Sequence, residues 1–98
     1  MIIEHLTVGI PAGSYRSFLE HDAAIWTATL SEQPGYVGKE TWIEAGDDTR
    51  VHLIIRWETR EQWKAVPPDL FAETDARMAA AFGTPVPVLN CTDLEVIG

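Results

Sequence analysis

Residues 50–64 read RVHLIIRWETREQWK. Val51, Leu53, Ile55 and Trp57 alternate with His52, Ile54, Arg56 and Glu58, the period-two pattern of a strand whose faces differ. The strand gives way to Thr59-Arg60-Glu61-Gln62, which matches a capping box with Gln62 three residues after the cap. A short helix carrying Trp63 and Val66 is therefore predicted there. A half-apolar strand running straight into a capped helix predicts a sheet with helices packed against the Val51/Leu53/Ile55/Trp57 side.

Upstream, residues 36–44 (YVGKETWIE) read as another strand, joined to 50–58 by the turn-forming run Ala45-Gly46-Asp47-Asp48-Thr49, so the two predict a hairpin. Its facing stays open: either Val37, Thr41 and Ile43 or Trp42 meets the core. Residues 2–10 (IIEHLTVGI) form a first strand ending at Pro11, with Leu6 and Val8 on the helix side and Ile3, His5 and Thr7 opposite. Ser14 suits an N-cap, and Tyr15, Phe18, Leu19, Ile25, Trp26 and Leu30 recur with helical spacing up to Pro34-Gly35. Pro67-Pro68 opens a later helix with Leu70, Phe71, Thr74, Met78 and Phe82 along one face and Glu73 and Arg77 spaced as an i,i+4 pair. Gly83 is its expected C-cap, and 86–97 is the last strand. The order β-α-β-β-α-β predicts a ferredoxin-like α+β fold: a four-stranded antiparallel sheet with helices on one face. The uncovered face mixes apolar and polar residues, which predicts a homodimer through the sheet faces.

The chain of 98 residues is expected to form a single domain over 1–98. It buries roughly 65% of the surface of its unfolded chain, which leaves a thin core and a further reason to self-associate. Fifteen acids against seven bases give a net charge of −8, and the bases form no run. That balance argues against nucleic acid or an anionic membrane as partner, since both require a basic patch. The single cysteine, Cys91, excludes an intrachain disulfide and a paired-cysteine zinc site, and is expected to be a small buried hydrophobe. No signal-peptide pattern and no membrane-length apolar stretch is seen, so a cytoplasmic protein is expected.

Trp26-Thr27, Pro34-Gly35-Tyr36, Lys39-Glu40-Thr41-Trp42 and the run from Ile54 to Lys64 resemble the dimeric α/β-barrel superfamily over essentially the whole chain. Within it the resemblance is to the antibiotic-biosynthesis-monooxygenase-like proteins. It implies a homodimer whose two sheets close into a barrel, with a pocket between sheet and helices in each protomer. It also implies a small-molecule-binding protein, with cofactor-independent monooxygenation of an aromatic compound as the expected activity. The alternative is a non-catalytic ligand-binding or interaction module on the same fold. Haem-degrading members carry an Asn on the first strand, a Trp on the helix after the third strand and a haem-ligating His farther along. Here the first strand offers Glu4, His5 and Thr7, Trp63 or Val66 lies near the Trp position, and Glu73-Thr74-Asp75 stands where the His would fall. Haem degradation does not carry over, and no cofactor is expected.

Asp22 interrupts the apolar stripe of the first helix, four residues after Phe18 and four before Trp26. A carboxylate there either faces a pocket as a general base or sits at the stripe's edge, bonded to a Trp N–H or to Arg56. Trp26 and Trp63 either wall a pocket for a flat aromatic ligand or fill the core, while Trp57 is expected in the core. Arg56 needs an anion, supplied by Glu4, Glu40, Glu58 or a substrate phenolate or carboxylate. His5 and His52, on neighbouring strands, are expected to share the open face as ligand contacts, with no metal between them. In the expected reaction Asp22 takes a proton, Arg56 stabilises the anion, and Trp26 and Trp63 hold the ring.

Overall fold

The computed structural model describes all 98 residues. Its elements are β1 (Ile2–Gly9), α1 (Tyr15–Asp22), a π-helical segment (Ala23–Thr27), α2 (Ala28–Leu30), β2 (Tyr36–Glu44), β3 (Asp47–Trp57), α3 (Arg60–Lys64), α4 (Pro68–Phe82) and β4 (Val88–Glu95). The sheet order is β2-β3-β1-β4 with every pairing antiparallel. This is the ferredoxin-like arrangement, with the helices on one face.

The alternation in β3 settles the core. Val51, Leu53, Ile55 and Trp57 are buried against the helices, and Trp57 is 0% exposed. Val8, Phe18, Ile25, Val51, Leu53 and Met78 belong to one apolar cluster. Ile2, Leu30, Ile55, Trp57 and Trp63 form a second. Leu6 and Trp26 pack against both and join them. The third-strand helix starts as the capping box predicts, with Thr59 Oγ1 accepting from the Gln62 backbone N–H at 3.2 Å.

Several local expectations are corrected. The hairpin turn is two residues, Ala45-Gly46, because Gly46 alone supplies the positive φ (85°) and Asp47 already begins β3. Ser14 makes no cap with its side chain; its hydroxyl donates to the Pro11 carbonyl at 2.6 Å instead. The last strand is shorter than expected, since Pro87 precedes it and lacks the N–H a ladder needs. Leu19 and Phe71 are exposed, and Glu73 and Arg77 form no ion pair. Cys91 is exposed, because β4 is an edge strand.

The facing of β2 follows from its register. Lys39 pairs with Ile55, Thr41 with Leu53 and Ile43 with Val51, so these β2 residues share the helix side. Trp42 pairs with His52 on the open face and is 51% exposed. The register shifts between Tyr36 and Gly38, a bulge that fixes which side Lys39 takes.

Candidate active site

A cavity of about 560 Å³ lies between the sheet and the helices. Small-ligand pockets fall in the range of about 300–1,000 Å³. β3 and β1 supply its floor through Leu53, Ile55 and Leu6. Trp26, Trp63 and Phe71 wall it. The rings of Trp26 and Phe71 sit 4.9 Å apart at 58°. Lys64 also lines it, its Nζ 4.0 Å from the centre of the Trp63 ring. No histidine lines the cavity.

The polar centre is built on Asp22. Its Oδ2 accepts from Lys39 Nζ at 2.5 Å, and both side chains are 3% exposed. Lys39 Nζ also donates to Thr27 Oγ1 at 3.0 Å. Asp22 and Thr27 are five residues apart and would point away from one another in an α-helix. The intervening π-helical segment, with its i→i+5 period, brings both onto Lys39. Asp22 Oδ1 is buried with no hydrogen-bond partner. Asp22 and Lys39 both line the cavity. A buried acceptor left without a donor costs roughly 1–3 kcal/mol. A ligand hydroxyl entering the cavity would supply that donor. Burial pushes the Asp22 carboxyl above its ordinary value, against the opposing pull of Lys39.

A second acid, Glu4, also lines the cavity. Its Oε1 accepts from Trp57 Nε1 at 3.1 Å. Burial raises its pKa, opposed by the Trp57 hydrogen bond and then by Lys64.

Of the residues singled out from sequence, Asp22, Trp26 and Trp63 come together in the cavity. Arg56, His5 and His52 do not, because strand alternation sends them to the opposite face of the sheet. There Arg56 pairs with Glu40 at 3.1 Å. His5 Nε2 bonds His52 Nδ1 at 2.8 Å, and His52 Nε2 meets Glu44 Oε1 at 3.0 Å. The cation beside Asp22 is Lys39 rather than Arg56, and the bond expected from a Trp N–H goes to Glu4. The sequence does not single out Lys39 as a site residue, since it leaves the facing of residues 36–44 open, and it offers Glu4 as a partner for Arg56 and as a first-strand residue rather than as a cavity acid. Although Cys91 is exposed, partial desolvation and then the charges of Glu4 and Asp93 push its thiol up, which argues against a nucleophile.

No protein family's sequence profile matches the chain. No curated protein matches it in sequence. Solved structures do match its fold. SnoaB, a cofactor-independent oxygenase from Streptomyces nogalater, superposes with a TM-score of 0.69 at 15% identity, over 99% of this chain and 94% of that one. A monooxygenase from the gene ActVA-Orf6 of Streptomyces coelicolor, in complex with the ligand nanaomycin D, gives 0.76 at 14% identity, over 99% and 88%. A putative antibiotic biosynthesis monooxygenase from Nitrosomonas europaea gives 0.71 at 14% identity, over the full length of both chains. The fold is that of the antibiotic-biosynthesis-monooxygenase-like proteins. At such identities the likeness speaks for the fold alone.

Proposed function

We propose that the cavity binds a flat hydroxylated aromatic compound and that the protein oxygenates it with O₂ and no cofactor. The observation that carries this reading is the unpartnered Oδ1 of Asp22 in an apolar cavity walled by Trp26 and Trp63. A carboxylate with a raised pKa is a better base for a weakly acidic hydroxyl than one in water. The Lys39 ammonium, held against Asp22, stabilises the negative charge that the ring acquires.

The chemistry balances without a further reagent. Asp22 takes a proton from a ring hydroxyl, or from the methylene tautomeric with it. The carbanion passes an electron to O₂, the two radicals combine, and a peroxide anion stands on the carbon. Asp22 returns its proton to that anion, then takes the remaining C–H proton as hydroxide leaves. The sum is R₂CH₂ + O₂ → R₂C=O + H₂O, with one oxygen atom in the product and one in water.

The same proposal includes a homodimer packed through the open sheet faces, where Trp42 and Leu94 expose apolar surface beside Ile3 and Ile54. It also includes a cytoplasmic location, supported by the lone unpaired cysteine. No helix is long and apolar enough to cross a membrane.

A non-catalytic binding module is the second reading. It is favoured by Lys39, which already engages one oxygen of Asp22. Anthrone distinguishes the two. Quenching of tryptophan fluorescence by anthrone reports binding, and anthraquinone formation with O₂ uptake reports turnover. Binding with turnover supports the oxygenase, binding without turnover supports the module, and no binding contradicts both.

A further inference from the structure

The proposed base explains one of the cavity's two buried acids. Glu4 is the other. Lys39, Ile55 and Glu4 occupy one cross-strand row on the helix side of β2, β3 and β1. Two strand spacings, about 10 Å, separate the backbones of Lys39 and Glu4. The buried Ile55 lies between them as an apolar floor. Lys39, with its partner Asp22, and Glu4 thus stand on strands either side of this apolar floor and line the same cavity. Trp57 engages one oxygen of Glu4. The Trp63 indole also acts on this carboxyl, yet an indole N–H needs only a neutral acceptor, and burying a carboxyl to serve indoles alone is costly. Burial favours the protonated form, which both donates and accepts.

We infer that Glu4 is a specificity-determining residue of this cavity, hydrogen-bonding a second oxygen on the far edge of a flat ligand whose near hydroxyl meets Asp22. This rests on the aromatic-binding reading above. The ligand class it defines carries oxygens on opposite edges of a fused ring body, in preference to a body with a single hydroxyl.

Calorimetric titration of the full chain with 2-naphthol and with 2,6-dihydroxynaphthalene tests it. The probes share a body and differ by the distal hydroxyl. The diol should bind the wild type about tenfold tighter, the worth of one good hydrogen bond in a dry site. Glu4→Met should reduce that ratio to about the twofold statistical factor of a symmetric diol, the diol losing more affinity than 2-naphthol. Glu4→Gln, which still donates and accepts, should keep the preference. A purely structural Glu4 would move both probes together and leave the ratio alone. A wild-type ratio at or below two overturns the role of Glu4 while leaving aromatic binding intact, and this holds even where Glu4→Met fails to fold. A preference retained in folded Glu4→Met overturns it equally. Binding of neither probe overturns the aromatic reading and this inference together.

Discussion

Lys39 Nζ lies 2.5 Å from Asp22 Oδ2 in a nearly solvent-free site, although the two residues sit on different elements, the end of a helix and the middle of a strand. Removing one partner of such a pair strands the other charge and costs about 3–5 kcal/mol. Lys39→Met should therefore lower unfolding free energy by about that amount in urea titrations. The double variant Asp22→Asn/Lys39→Met should recover most of the loss, since no charge then remains uncompensated. A double-variant loss equal to the sum of the Lys39→Met and Asp22→Asn losses would show that the pair is not coupled.

Glu4 should give stability a distinctive pH dependence. Its folded pKa is raised above the ordinary 4.5, chiefly by burial. The native state then holds its proton more tightly than the unfolded chain. The stabilisation is complete below the unfolded value and is lost as pH rises through the folded one. Wild-type stability relative to Glu4→Gln should accordingly fall as pH rises above the ordinary value of 4.5 and through the raised folded one. A difference that stays flat across this range, or rises, contradicts the assignment.

Gly35 is the turn position least able to accept a side chain. Its φ is +87°, and an added Cβ would collide with the Gln62 side chain. Its carbonyl also accepts from the Glu58 backbone N–H at 2.8 Å, tying the start of β2 to the end of β3. Gly35→Ala should cost about 1–2 kcal/mol from the left-handed conformation alone, with the contact adding to it. Gly38→Ala, with open space around it, should cost less, and thermal melts of both variants give the comparison. Equal melting temperatures would remove the special role of Gly35.

The sequence is most readable where one local rule acts alone. The β3 alternation identifies its buried side, and the Thr59 cap identifies where α3 begins. Asp22 stands out because a carboxylate breaks an apolar helical stripe. Lys39 does not, because a lysine in a strand normally faces water, and only the β2 bulge and β3 register turn it inward. The π-helical segment is equally hidden, since AAIWT carries no residue that marks an i→i+5 turn. Placing Arg56 in one site with Asp22 fails for a simpler reason: strand parity puts it on the other face, where His5 and His52 meet as the alternation predicts.

That other face bears on assembly. Trp42 is 51% exposed, with its indole N–H donating to Glu40 at 2.9 Å. A homodimer through this face buries Trp42. Light scattering at micromolar concentration should give twice the chain mass for the wild type and a shift toward the single-chain mass for Trp42→Asp. A wild type of single-chain mass at that concentration contradicts the sheet-to-sheet dimer.

The most direct test of the oxygenase reading is O₂ uptake with anthrone by wild type and by Asp22→Asn, each confirmed as folded. Wild type should consume one O₂ per anthraquinone formed, and loss of the base should slow it by about 10²–10⁴-fold. Equal rates in the two proteins, or a wild-type rate no faster than buffer, would contradict the role of Asp22 as the base of a cofactor-independent oxygenation.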